Sequence, residues 1–148
     1  MPIEKIDRGI IYFCRQTAVP LARFGLFVVY FWFGILKVIG KSPATPLVQG
    51  LFEKTIAFMP FSVFLGIFGL FEMLIGILFV IRGLERVVIP LLLFHMVLTC
   101  MPLFLLPSET WAGFLVPTLE GQYIIKNLLL IAAAIGIAAH VPPIQTQA

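Results

Sequence analysis

Apolar positions in this chain fall in long unbroken blocks, not in the two-residue alternation of a strand or the narrow stripe of a surface helix. The blocks lie at about 18–39, 60–81, 87–106 and 122–140. A helix needs about 20 mostly apolar residues to cross a bilayer, and each block meets that length. Four such spans with their connections use up the 148 residues. The pattern therefore predicts one domain, residues 1–148, an all-α integral membrane protein folded as a four-transmembrane-helix bundle.

The segments between the blocks refine this picture. Residues 1–17 set Glu4, Lys5, Asp7, Arg8 and Arg15 among Ile10, Ile11, Tyr12 and Phe13. That mixture predicts a short interfacial helix leading into the first span, with Pro20 in the span's first turn. Lys41-Ser42-Pro43-Ala44-Thr45-Pro46 excludes regular helix. Beyond it Val48, Leu51, Phe52, Ile56 and Met59 recur at helical spacing, with Gln49, Glu53 and Lys54 between them. An amphipathic interfacial helix over about 47–59, lying on the membrane surface in the first outer loop, follows. Arg82-Gly83-Leu84-Glu85-Arg86 is a tight connection. Pro90 belongs in the first turn of the third span and Pro102 kinks it. Residues 107–121 read as a polar and aromatic loop, and Pro142-Pro143 ends the last span before a short polar tail.

Composition agrees with lipid as the solvent. The chain is 61% hydrophobic and 11% charged, whereas a soluble domain carries about a quarter charged residues. The net charge of +3 comes without a run of Lys or Arg, so a nucleic-acid partner is not expected. Basic residues instead mark the span ends. Lys5, Arg8, Arg15, Arg23, Arg82 and Arg86 fall on one side, against Lys37, Lys41, Lys54 and Lys126 on the other. The excess places both termini in the cytoplasm. The first block is longer than a signal-peptide core and lacks a small-residue cleavage site, so it reads as an anchor. Cys14 and Cys100 lie at different depths, with no CxxC, which argues against a disulfide or a thiol relay.

Ionisable groups inside the spans carry the candidate chemistry, because charge in hydrocarbon is costly and such groups face the bundle. Glu72 sits near the middle of the second span. Gly66, Gly69 and Gly76 share its helical face and serve as packing positions for a neighbouring helix. Tyr30, Gly34 and Lys37 share a face of the first span, and Lys37 is the partner by sign. The two lie roughly 10 Å apart in depth, a gap that a lysine closes only in part. A proton or ligand site and a structural pin are both open for Glu72, and a snorkelling amine is open for Lys37.

His95 lies in the third span at nearly the depth of Glu72, which leaves a direct contact open. His140 lies at the end of the fourth, roughly 10 Å away in depth, which argues against a bis-histidine haem. Lys126 and Asn127 open the fourth span. Lys126 pairs with Glu120 or reaches the headgroups, and with Lys37 it would form a basic outer mouth suited to an anionic headgroup or a quinone carbonyl. No metal-ligand spacing, catalytic triad or phosphate-binding loop is present.

Three stretches carry a family resemblance: Phe31-Trp32-Phe33-Gly34-Ile35-Leu36-Lys37 with Thr45-Pro46-Leu47-Val48, then Gly69-Leu70-Phe71-Glu72-Met73-Leu74-Ile75-Gly76, then Thr118 to Leu128. In order and spacing over about residues 20–138 they resemble the DoxX-like superfamily, and within it the YkgB-type membrane proteins. The resemblance implies a four-helix bundle in the bacterial inner (plasma) membrane, linked to redox processes such as thiosulfate:quinone oxidoreduction and oxidant resistance. By match it carries over Lys37, Glu72, Lys126 and Asn127. The chain departs from the YkgB-type pattern in its shorter first loop and in Asn127, where an acidic residue is common.

The leading expectation is an accessory or scaffold subunit of a membrane-bound redox complex, in contact with quinone or lipid and with other membrane subunits or copies of itself. No cofactor is evident in the sequence. The alternative is a small proton-coupled transporter using Glu72 and His95. An independent quinone-reactive enzyme ranks last, because no flavin, haem or thiol centre is evident to carry its chemistry.

Overall fold

A computed structural model of the chain describes residues 2–56 and 58–144. Its elements are α1 (Pro2–Val38), α2 (Thr45–Thr55), α3 (Phe61–Val80), α4 (Glu85–Cys100), α5 (Pro102–Leu105), α6 (Pro107–Thr110), β1 (Trp111–Gly113), β2 (Val116–Pro117), α7 (Leu119–Lys126) and α8 (Leu128–Ala138). Four helical stretches, Ile3–Val38, Phe61–Val80, Glu85–Leu105 and Leu119–Ala138, are long and apolar enough to cross a membrane. Ala57 of the expected surface helix and the tail at 145–148 lie outside the described residues.

The core is a narrow apolar seam. Leu26 and Tyr30 of α1, Ile75 and Phe79 of α3, Val88, Leu92 and Met96 of α4, and Ala134 and Ile137 of α8 are buried in it. The outward faces are as apolar as the inside: Trp32, Ile67, Phe94, Val97 and Leu129 are all exposed. A surface of this kind suits hydrocarbon better than water.

Helix α1 differs from expectation. The expected interfacial helix and first span form one continuous helix, and Pro20 lies inside it. A proline in a helix removes one backbone donor and strains the preceding turn, but the apolar residues on both sides carry the helix through. Residues 3–16 remain exposed, clear of the bundle.

Helix α2 starts at Thr45, with Pro46 in its first turn, and ends at Thr55, where Ile56 leaves helical geometry. It is thus shorter than the expected 47–59 and begins earlier, because a proline is accepted at a helix start. Pro102 breaks the third span at Met101, since its missing N–H cannot bond Leu98.

The 107–121 segment is not an open loop, although the fold as a whole is mostly helical, consistent with the all-α expectation. After the one-turn α6, β1 and β2 pair antiparallel, Trp111 with Pro117 and Gly113 with Val116. Trp111 Nε1 donates to the Leu103 carbonyl at 3.0 Å and ties the hairpin to α5. Thr118 caps α7 by accepting from the Gly121 N–H. A turn at Asn127, itself in helical geometry, separates α7 from α8 within the last apolar stretch.

Helices α1 and α3 make the closest contact of the bundle. A Cβ on Gly34 would sit 2.6 Å from the Gly69 carbonyl, and one on Gly69 would sit 2.6 Å from that of Gly34. Farther along, a Cβ on Gly76 would lie 2.9 Å from the Phe31 nitrogen. Numbers rise on α3 as they fall on α1, so the helices run antiparallel. Gly66, which shares the sequence face, does not pack: a Cβ there meets nothing within 4 Å. Two glycines seven residues apart, Gly69 and Gly76, line this contact on α3.

Candidate functional site

The glycine contact sets the geometry of the polar residues around it. It places Glu72 one to two turns below Lys37, roughly 5–10 Å along the axis. Side chains of a helix lean toward its N-terminus. In two antiparallel helices those leans converge, so Lys37 on α1 and Glu72 on α3 reach toward each other. The Lys37 Nζ meets Glu72 Oε2 at 2.6 Å. The sequence left this pairing open because depth alone does not show which way each side chain leans.

Helix α4 supplies the third member. His95 Nε2 lies 3.0 Å from Glu72 Oε1. Glu72, Lys37 and His95 are 5%, 6% and 4% exposed, so one carboxylate joins an amine and an imidazole away from solvent. The second ring nitrogen, Nδ1, lies 3.2 Å from the Tyr30 hydroxyl and 3.3 Å from Thr99 Oγ1. The Thr99 hydroxyl donates to the His95 carbonyl at 2.9 Å. With Glu72 ionised and the imidazole neutral, Tyr30 is the donor to Nδ1. An ionised carboxylate only accepts, so the network assigns the imidazole proton to Nε2, facing Glu72.

Aromatic rings wall this centre. Phe68 stacks on His95 with centroids 5.1 Å apart, and Tyr30 meets the same ring edge-on at 5.2 Å. The Lys37 ammonium lies 5.6 Å from the Phe68 ring. Among the described residues no buried side-chain nitrogen or oxygen lacks a partner. The rings lower the local dielectric and strengthen the ion pair, while a hydrogen bond at each buried polar atom offsets part of the cost of burying charge.

Of the residues singled out in the sequence, Lys37, Glu72 and His95 come together. Lys126 and Asn127 stand apart. Lys126 is exposed, with its Nζ 5.1 Å from the Tyr123 ring, and it forms no ion pair with Glu120 among the described residues. Asn127 is half-buried at the junction of α7 and α8. The expected basic mouth is not formed, because Lys37 turns inward to Glu72. His140 is also separate, with its ring within 2.8 Å of the Gly136 carbonyl.

Sequence reasoning missed Thr99 and Phe68. Each lies four residues from a recognised member, Thr99 after His95 and Phe68 before Glu72, which puts them on the same helical face. It also missed a second ion pair. Arg23 pairs with Glu85 and donates to the Phe79 carbonyl at 3.0 Å. Opposite charges at the same end of the first and third spans were the available signal. Among the described residues no group of three or more His, Cys, Asp or Glu has metal-binding geometry. No family model, no curated protein and no solved structure matches this chain.

Proposed function

We propose that the protein is an accessory or scaffold subunit of a membrane-bound redox assembly in the bacterial inner membrane, inserted with both termini in the cytoplasm. The observation that carries this reading is the contact of Glu72 with both Lys37 and His95, at 2.6 and 3.0 Å, from three different helices. A closed ion-pair network of this kind fixes the register of three spans without opening a path between them. It leaves the outward apolar faces to lipid and to neighbouring subunits. The redox context rests on the resemblance to DoxX-like proteins, and the cytoplasmic termini on the six-to-four Lys/Arg excess. Quinone and lipid are the small molecules this reading admits.

A pull-down of the tagged full chain in mild detergent, with mass spectrometry and quinone extraction, tests it. Co-purification with redox subunits is the expected result. A homo-oligomer alone, free of quinone, would overturn the accessory role.

The same centre favours a second reading on one point. Glu72 and His95 are two protonatable groups in direct contact at membrane depth, which is how proton relays are built. A small proton-coupled transporter would show flux in proteoliposomes that Glu72→Gln abolishes. Absence of proton-dependent flux across a panel of inorganic ions and small organic anions would reject this reading.

A further inference from the structure

At the bundle end formed by the turn from α3 to α4, positive charge gathers around a crevice of about 440 Å³. Its walls include Arg23 of α1, Arg82 of the turn, Arg86 of α4 and His140 beyond α8. One carboxylate, Glu85, faces these three guanidiniums, and Arg23 already occupies it. Arg86 donates to the Pro142 carbonyl at 2.6 Å, which satisfies one N–H and none of its charge. Arg82 is exposed and has no acceptor among the described residues. Among the described residues, two positive charges therefore line the crevice without a counter-charge.

A second cleft, of about 360 Å³, adjoins the first and shares Glu85, Arg86, Val141 and Pro142 with it. Its other walls are apolar, among them Ile89, Pro90 and Ala138. A cationic crevice thus opens directly beside an apolar slot at one end of the bundle. Guanidinium forks match the oxygens of a phosphate group, and the apolar lining of the slot matches the chemistry of an acyl chain.

We propose that this is a binding site for an anionic phospholipid, with the headgroup phosphate held by Arg82 and Arg86 and a chain lying along α4 toward α8. Basic pockets between membrane helices take such headgroups. The inference rests on the reading that the chain spans a membrane, and it is independent of the Lys37–Glu72–His95 centre. It differs from a general attraction of basic residues to the bilayer, because Lys5 and Arg8 carry the same charge on exposed α1 and line neither cleft.

Lipid titration of the purified full chain in mild detergent, read by native mass spectrometry, tests the site. Phosphatidylglycerol is expected to bind about tenfold or more tightly than phosphatidylcholine. Arg82→Gln with Arg86→Gln should abolish that preference, while Lys5→Gln with Arg8→Gln leaves it in place. If the double variant unfolds, Arg82→Gln alone carries the test, with a loss of about threefold or more expected. Equal binding of the two lipids, or an equal loss in the Lys5 and Arg8 variant, would overturn the site. Displacement of the lipid by millimolar glycerol 3-phosphate would overturn the lipid assignment in favour of a soluble phosphate.

Discussion

Gly34 of α1 and Gly69 of α3 pack backbone to backbone, each where a Cβ would come within 2.6 Å of the other's carbonyl oxygen. The Lys37–Glu72 pair lies one turn further along each helix, so this contact sets the reach of that pair. Alanine at either glycine forces the helices apart, at a cost of about 1–3 kcal/mol for overpacking. Gly66→Ala meets open space and should instead be neutral or stabilising by about 0.5–1 kcal/mol. Unfolding titrations in mixed detergent micelles distinguish the two. Equal behaviour of Gly66→Ala and Gly69→Ala would remove the basis for the α1–α3 register.

The Lys37–Glu72 contact gives a sharper test. Removing one partner leaves the other charge buried and unmatched, which costs about 3–5 kcal/mol. Glu72→Gln and Lys37→Met are each expected to fall in that range. Lys37→Met combined with Glu72→Gln removes both charges, and the combined loss should be well below the sum, with a coupling of about 1–3 kcal/mol. A double-mutant cycle on unfolding free energies measures this. Strict additivity would show that the pair is not formed.

The spans and the central site differ in how far the sequence revealed them. The four apolar blocks are visible because each is long and apolar enough to cross a bilayer, and Gly69, Glu72 and Gly76 declare one face by their spacing. The extent of α1 was hidden because a change from charged to apolar surface marks the environment of a helix and not its end. The β1–β2 hairpin was hidden because its strands are two and three residues long, too short for any alternation. Gly66 was misread because periodicity identifies a face but not where along it the partner crosses. The meeting of Lys37 with Glu72 depends on antiparallel register and on the lean of both side chains, neither of which spacing encodes.

His95 should show one tautomer. With Nε2 facing Glu72 and Tyr30 donating to Nδ1, the nitrogen NMR shifts of His95 are expected to report an Nε2-protonated ring. Tyr30→Phe removes a hydrogen bond worth about 1 kcal/mol and leaves Thr99 as the neighbour of Nδ1. The Nδ1 resonance should move, while the contact to Glu72 persists. An Nδ1-protonated ring in the parent protein would reverse the donor assignments of the whole centre.

Gly121 governs the connection that carries the chain into its last span. A Cβ there would collide with the Thr110 carbonyl and press on the Pro117 ring at 3.1 Å. That carbonyl already accepts the Thr118 N–H at 3.0 Å, and the Thr118 hydroxyl donates to the Glu109 carbonyl at 2.7 Å. Alanine at 121 therefore displaces α7 from the hairpin, at about 1–3 kcal/mol. Thr118→Ala removes the helix cap and the Glu109 bond, at about 1 kcal/mol. Both changes loosen the segment that holds Trp111 against Leu103. The Trp111 indole N–H should exchange faster with solvent in each variant, and more so with Gly121→Ala. Unchanged indole protection in Gly121→Ala would mean that α7 does not rest on Thr110, and that the hairpin is held by the Trp111–Leu103 bond alone.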